Sequence, residues 1–462
     1  MAIIQQKHLN CDLNEPIFQK FIVNYNIKEV LKETCKMKKK GISNNDIFSF
    51  LMKIPFTGKS LHQNVIMNDD FKKDTAYRFL QDSTGWDDAI MKIGGSIINK
   101  TINPLTSESR VGCLIFDDTP IERARSKKVE LASKQFNHAQ HKFTNGFRLL
   151  TMAWSDGNTF IPLSFALLSS KKEKNRTSEA YNYDKTTEKG KRTREEALMT
   201  TPELVIKMLK QSKANHIDAN YVLFDSWFAM PATINSIKAI GYDVIAMVKK
   251  SDKIHFIKDD ESKSVKKIYK EATKRRGLAH IRYSTIAETK PNQDTTPVKV
   301  KLVYISEKKK PKNWLILVST DTSLDDERVC QLYGRRWSTE VFYKVCKSVL
   351  NLQRGCQCRN FDSIVSHIAI VFIQYMMLSE QQRLFNDDRT LGELFFYMVD
   401  ELQELTVAAT IALVIDSLIE TVQNNVKLQG VLGLELLKDF ITNLPQDLVK
   451  HLKFPVEFTC ET

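Results

Sequence analysis

The stretch that decides the fold is GFRLLTMAWSDGNTFIPLSFALLSS, residues 146–170. Its two apolar runs are separated by Ser155-Asp156-Gly157-Asn158, and Asp-Gly between apolar runs is a strong signal for a β-hairpin. The short apolar run RVGCLIF at 110–116 precedes it and predicts one more buried strand. These segments together predict an antiparallel meander of three strands.

Helical and strand patterns alternate after the hairpin. An amphipathic helix is expected from Thr200 to Lys213, a buried strand in ANYVLFDSWF (219–228), a helix over 231–240 and a strand in YDVIAMVKK (242–250). A meander followed by such alternating units predicts a mixed α/β sheet. The polar segment 171–196 lacks apolar periodicity and predicts a surface loop.

The flanking regions have different patterns. Residues 1–105 predict helices with basic patches, and Tyr77, Arg78 and Gln81 near the start of one helix suit a helix-turn-helix reader of DNA. A small helical bundle with solvated charges is the alternative. Residues 251–321 predict a β-rich insertion, and a long helix follows it. Residues 396–462 predict helices that either mediate dimerisation or pack on their own domain.

Composition and charge restrict the class of protein. The chain has 68 Lys+Arg against 55 Asp+Glu, a net charge of +13, which suggests a polyanionic partner. Residues 401–462 contain nine acidic residues and four lysines, so the positive surplus lies upstream. The 25 Phe argue against disorder and eight sparse Cys against a disulfide scaffold. The apolar runs 405–415 and 364–378 are short for a membrane span, and no secretory signal is visible.

Acidic and basic side chains form the candidate site. Asp118, or its neighbour Asp117, and Asp225 follow apolar runs and are expected at strand ends, although turn residues or helix caps have the same pattern. On the predicted long helix, Tyr333, Arg336, Glu340 and Lys347 fall within an arc of about 60°. A solvated face with ion pairs is the alternative here. Three carboxylates can hold two Mg²⁺ ions for phosphoryl transfer, with the basic residues on phosphates.

These residues carry a resemblance. The run YGRRWSTEVFYKVCK (333–347) contains Y-x2-R-x3-E-x6-K, and with FDDT (116–119) and LFDSWF (223–228) it resembles the cut-and-paste DDE transposases of bacterial insertion sequences. The resemblance covers roughly residues 105–380. It implies a ribonuclease H-like α/β catalytic core over 106–250 and 322–395, interrupted by the β-rich insertion.

The resemblance also implies roles for single residues. Asp118, Asp225 and Glu340 would be the metal-binding catalytic carboxylates, and Asp118 is favoured over Asp117 because the family pattern places Asp directly before Thr. Tyr333, Arg336 and Lys347 would contact the DNA backbone at the transposon end. Trp314 would stack on a flipped base as in hairpin-forming relatives, with a core aromatic as the alternative.

The implied activity is metal-dependent cleavage of the inverted-repeat ends and transfer of their 3′-OH groups to target DNA. The resemblance implies two Mg²⁺ ions, or Mn²⁺, as cofactors. It also implies a homodimer that acts on double-stranded DNA. The expected location is the bacterial cytoplasm, at the nucleoid and not at a membrane. A metal-dependent nuclease that cuts without joining and an inactive DNA-binding regulator are the alternatives. Cys346, Cys356, Cys358 and His367 could suggest zinc, but C-x-C is not a usual structural-zinc spacing and favours buried thiols.

Overall fold

A computed structural model describes residues 17–384, apart from short gaps at 36–39, 68–69, 83–84, 108–109, 138–140, 181–186, 276–279, 292–295 and 307–313. The predicted helical C-terminal region 396–462 lies outside these residues.

One mixed sheet of eleven strands forms the centre of the molecule. Its strand order is β2-β3-β1-β5-β6-β11-β10-β9-β7-β8, with β4 also paired to β3. The strands are β1 (Cys113–Glu122), β2 (Ser133–Asn137), β3 (Lys142–Ser155), β4 (Phe160–Leu168), β5 (Tyr221–Phe224), β6 (Asp243–Val248), β7 (His255–Lys258), β8 (Glu261–Ser264), β9 (Ile281–Glu288), β10 (Lys299–Ser306) and β11 (Trp314–Ser319).

The five strands β4-β3-β1-β5-β6 form the ribonuclease H-like part of the sheet. β3 and β4 are the predicted hairpin, and β3 pairs antiparallel with β1. β1, β5 and β6 run parallel to one another, as expected for strands joined through helices. The predicted α/β class with a mixed sheet is confirmed.

β1 is longer than predicted, and this changes the position of its two aspartates. Pairing with β5 extends only to Ile115↔Leu223, whereas pairing with β3 continues to Glu122↔Gly146. Asp117 and Asp118 therefore lie within the strand and not at its end. The charged residues did not end the strand because β3 continues to bond its backbone beyond them. Asp225 directly follows β5, as predicted.

The β-rich insertion extends the same sheet. β11 pairs antiparallel with β6, from Ile316↔Val248 to Ser319↔Ile245. β10 and β9 continue outward from β11, and β7 and β8 follow. The start of β11 consequently lies at the edge where β5 and β6 end.

Thirteen helices occur in the described ranges. They are α1 (Ile17–Asn24), α2 (Ile27–Thr34), α3 (Asn44–Lys53), α4 (Leu61–Ile66), α5 (Lys73–Gln81), α6 (Trp86–Ile97), α7 (Glu188–Ala197), α8 (Thr201–Ala214), α9 (Pro231–Ile240), α10 (Val265–Glu271), α11 (Asp326–Gly334), α12 (Ser338–Ser348) and α13 (Phe361–Leu384). The predicted helices over 200–213 and 231–240 correspond to α8 and α9.

α13 joins the N-terminal helices to the sheet. Its buried polar groups bond to those helices: Ser366 accepts from Trp86 Nε1 at 2.8 Å, and Glu380 accepts from the Tyr25 hydroxyl at 2.7 Å. By length and composition α13 is the one helix in the described residues that could span a membrane, yet 94% of its most apolar window is buried inside the fold. Its buried hydrogen bonds are those of a core helix.

The segment 171–196 is not simply a surface loop. Its second half forms α7, on which Arg194 is 2% exposed. The guanidinium donates to both carboxylate oxygens of Asp362 at 3.0 and 2.8 Å and to Glu130 at 2.8 Å. Polarity along the sequence was misleading, because a single buried arginine satisfied by two distant carboxylates leaves no periodic signal.

The predicted long helix is interrupted. A 3₁₀ turn at Arg335–Trp337 separates α11 from α12, directly after Gly334. Arg335 donates to the Val111 carbonyl, two residues before β1, and so docks this turn beside the sheet. The positions of Tyr333 and Arg336 therefore depend on the turn as well as on helical periodicity.

We predict that Arg194→Met destabilises the protein by about 3–5 kcal/mol, because it leaves the buried carboxylates of Glu130 and Asp362 without their cation. Urea unfolding measures the change. The matched control is Arg192→Met on the same helix, whose side chain is 42% exposed and whose loss should cost about 1 kcal/mol or less. Equal losses for the two variants would contradict this description of α7.

Candidate active site

The two adjacent aspartates of β1 point to opposite faces of the sheet, since side chains alternate along a strand. Asp117 lies on the face covered by α12. Its Oδ2 accepts a hydrogen bond from Thr339 Oγ1 at 2.8 Å and pairs with Arg336 Nη1 at 3.1 Å. The Tyr343 hydroxyl donates to its backbone carbonyl at 3.1 Å. Three side chains from the α11–α12 segment thus hold this one residue.

Asp118, which the resemblance favoured, lies on the other face and forms an ion pair with Arg148 of β3. Arg148 in turn lies near Trp227, with its guanidinium carbon 5.9 Å from the ring centroid. The structure therefore separates the two neighbours, with Asp117 under α12 and Asp118 beside Arg148 and Trp227.

Asp225 is held in a tight turn after β5. Its Oδ1 accepts from the backbone amide of Trp227 at 2.8 Å. β1 and β5 are adjacent parallel strands, so their carboxyl ends point to one edge of the sheet. Burial raises the pKa of Tyr333, and the charges of Asp225 and Asp117 raise it further.

Arg336 is the centre of the predicted stripe. Its Nη2 lies 3.7 Å from Glu340 Oε1, and its guanidinium carbon lies 5.9 Å from the Tyr333 ring centroid. The Glu340 side chain is 45% exposed, so one of its sides faces solvent. The structure thus brings Tyr333, Arg336 and Glu340 together. Lys347 lies farther along α12, where its ammonium donates to Thr119 Oγ1 at 2.5 Å.

Burial shapes the electrostatics of the site. It raises the pKa of Asp117 to about 6, against the opposing effects of the Thr339 hydrogen bond and the Arg336 charge. Burial also lowers the pKa of Lys347. For Arg336, burial would lower the pKa, but Tyr333, Asp117 and Asp225 outweigh it and the net shift is upward. The site therefore favours a positive charge next to Asp117.

The donor set has the chemistry that a hard divalent cation requires, namely carboxylate oxygens. In the described part of the chain, however, no three His, Cys, Asp or Glu side chains lie close enough together to hold a metal ion. The Arg336 guanidinium stands between Asp117 and Glu340, where it supplies the positive charge. Tyr333 Oη and Arg336 Nε are buried there, and neither meets a hydrogen-bond partner of good geometry among the described residues.

Trp314 lies in an aromatic cluster at the start of β11. The Trp314 ring centroid is 4.4 Å from the Tyr269 ring centroid. The Lys250 ammonium lies 4.0 Å from the Trp314 ring centroid. The ring is half-buried, as in a packed cluster that reaches the surface.

The cysteine and histidine residues considered for zinc are buried or half-buried. Cys356 donates to the Ser363 carbonyl at 3.8 Å, and burial lowers the pKa of His367 to about 4. Cys346 and Cys358 are free thiols. Their surroundings are those of thiols packed in a core.

The N-terminal helices contain an open concavity of about 670 Å³. Arg78 and Gln81 of α5 line it together with Lys40, Lys72, Asp70 and Asp82, whereas Tyr77 packs against the hydrophobic core. Two of the three residues predicted to face DNA therefore share one surface with further lysines.

Several site residues were missed from the sequence. Thr339 and Tyr343 lie next to and one turn beyond Glu340, but helical spacing alone did not show that they hold Asp117. Arg148 is the one charged residue in the apolar run of β3, and this was an available signal. Trp227 gave no signal beyond its place two residues after Asp225.

Comparison with protein families identifies the family of the chain. The model of the DDE superfamily endonucleases matches residues 58–305, which is more than half of the chain. The matched segment includes Asp117, Asp118 and Asp225 and ends before Tyr333 and Glu340. No curated protein matches the chain significantly.

We predict that Asp117→Asn stabilises the metal-free protein above pH 6 and has little effect below pH 4. The folded protein holds the Asp117 proton more tightly than the unfolded chain does, so ionisation between about pH 4 and 6 lowers the free energy of unfolding. Asparagine removes this cost, which corresponds to about 1–3 kcal/mol. Urea unfolding at pH 4 and pH 7.5 measures it. If Asp117→Asn is less stable than the wild type at pH 7.5, the pKa of Asp117 is not raised by burial in the folded protein.

Proposed function

Because the chain belongs to the DDE superfamily endonucleases, we propose that it is a DNA transposase. Membership implies a nuclease-type enzyme with DNA as its substrate. The finer proposal is that the protein binds the inverted-repeat ends of an insertion sequence, cleaves them and transfers the resulting 3′-OH ends to target DNA.

The cluster of Tyr333, Arg336 and Glu340 against Asp117 is the observation that supports the proposal. These residues belong to the Y-x2-R-x3-E-x6-K pattern, which lies outside the family match, so the fold brings two independent signals to one place. A solvated helix face would not be tied to a buried carboxylate on the central strand. This contact makes a coincidental charge pattern a poor explanation.

We propose Asp117, Asp225 and Glu340 as the catalytic carboxylates. Asp117 shares a face with α12 and an arginine with Glu340, whereas Asp118 is paired with Arg148 on the opposite face. Asp118, the choice that the resemblance favoured, is the alternative that the assay below distinguishes.

Divalent cations are typical of the family. We propose that the three carboxylates would hold two such ions, either Mg²⁺ or Mn²⁺. When bound, the ions would stabilise charge on the transferring phosphoryl group. The side chains of this protein position the substrate. Arg336, whose Nη1 pairs with Asp117, can turn to a DNA phosphate once the carboxylates are otherwise neutralised. Before DNA binds, the ion pair with Arg336 holds Asp117 in place, so the site is preorganised.

The remaining basic residues suit phosphate binding. The Lys347 ammonium is fixed by Thr119 on the face of Asp117, about two turns of α12 beyond Glu340. Tyr333 Oη is buried beside Arg336 and would become a donor to a phosphate oxygen once Arg336 turns away. Phosphates of one DNA strand could thus be held on both sides of Glu340, with the scissile bond next to the carboxylates. Pairing of two DNA ends by a homodimer is part of the proposal.

We predict that the purified protein with Mg²⁺ cleaves labelled duplexes covering the DNA on either side of its own coding sequence, where terminal repeats would lie. Glu340→Gln, Asp225→Asn and Asp117→Asn should each lower the cleavage rate by at least about 100-fold, because each removes charge stabilisation of the reacting phosphate. Denaturing gel electrophoresis measures cleavage, and adding a target plasmid detects joined products.

Asp118→Asn is the matched control, since it removes the neighbouring carboxylate on the opposite face of β1. It should retain most of the cleavage. Inactivity of Asp118→Asn with an active Asp117→Asn would reverse the assignment of the first carboxylate. Cleavage without joined product would favour a nuclease. Cleavage that survives Glu340→Gln would contradict the proposed site.

A further inference from the structure

A second surface lies next to Asp225 and Asp118, at the edge where β5 and β6 end and on the face of β1 opposite Asp117. Trp227, two residues after Asp225, is 51% exposed. The Lys249 ammonium lies 5.0 Å from its ring centroid, and the Arg148 guanidinium carbon lies 5.9 Å from it. An indole ring next to Asp225 is therefore flanked by two cations, one on β3 and one directly after β6.

The position of the ring is constrained. The backbone amide of Trp227 donates to Asp225 at 2.8 Å, which ties the residue to a proposed catalytic carboxylate. Cations near an aromatic ring are attracted by its electron-rich faces and restrain its orientation. Burying an indole contributes more to stability than leaving half of it in water, so the fold forgoes that gain at this position.

The charges around Trp227 indicate what the ring could contact. Lys249 and Lys250 follow β6 directly, and Arg148, which is paired with Asp118, is on β3, so three cations and one carboxylate lie at this edge. An exposed flat ring among cations matches a ligand with flat rings and anionic groups, which is the chemistry of a nucleic acid strand. Trp314 lies at the same edge, half-buried against Tyr269.

We propose that Trp227 stacks on a nucleobase of the bound DNA strand where that strand crosses the edge of the sheet at Asp225, while Lys249 contacts an adjacent phosphate. This inference rests on the proposed function and adds a base contact to it. Since every base has a flat face, the contact supports positioning of the strand rather than reading of its sequence. Trp227 is thus a positioning residue for the DNA end.

The test combines protein variants with single abasic sites in the DNA. The probe is the fluorescently labelled duplex of flanking DNA, bound in Ca²⁺ so that it is not cleaved, with one base at a time removed within a few nucleotides of the cleavage point. Trp227→Ala is compared with Trp227→Phe. Phe143→Ala, which removes another highly exposed aromatic ring, serves as the control. Thermal unfolding verifies that each variant is folded.

We expect the wild type to lose roughly 5- to 100-fold in affinity at one abasic position, the range of one stacked base. Trp227→Ala should lose a similar factor on intact DNA and show no further loss at that position. Trp227→Phe should retain most of the affinity, and Phe143→Ala should match the wild type.

Other outcomes overturn the inference. If Trp227→Ala binds intact DNA like the wild type, or if it keeps the same abasic sensitivity, the ring does not stack on a base. A wild type with no sensitive position also contradicts it. If the wild type neither binds nor cleaves the flanking duplexes, the proposed function itself fails. If the wild type cleaves the DNA and Trp227→Ala behaves like the wild type, the stacking contact is rejected and the proposed function stands.

Discussion

The ion pair between Asp117 and Arg336 is the interaction on which the site depends. A carboxylate largely removed from water needs a positive partner, and Arg336 is that partner. Arg336 also lies between Asp117 and Glu340, so the same guanidinium draws the helical residue toward the central strand. The turn that interrupts α11 and α12 places Arg336 there. Hydrogen bonds from Thr339 and Tyr343 to Asp117 and from Lys347 to Thr119 also join α12 to β1.

The scaffold makes that pairing possible. β1 is bonded on both edges up to Ile115 and on one edge beyond it, so Asp117 emerges where the sheet opens. α13 packs beneath as a buried helix whose polar groups bond to the N-terminal helices, and Arg194 joins its first turn to α7. A rigid sheet and a firmly anchored core helix hold the carboxylates in fixed positions, as catalysis by preorganised charge requires.

The sequence predicted the elements better than their side-chain directions. The hairpin of β3 and β4, helices α8 and α9, and the grouping of Tyr333, Arg336 and Glu340 follow from local patterns and appear in the structure. The face on which Asp117 lies depends on the register of β1 against β3, which no local pattern reveals. Arg194 was hidden in a polar segment because its partners are 64 and 168 residues away. The pairing of β11 with β6 likewise joins distant segments.

The most direct test of the central claim is the anomalous scattering of Mn²⁺ in crystals of the protein bound to a DNA end. We predict a peak among Asp117, Asp225 and Glu340, with Arg336 displaced from Glu340 toward a phosphate. A peak on the opposite face beside Asp118, or none near Glu340 although DNA is bound, would contradict the account.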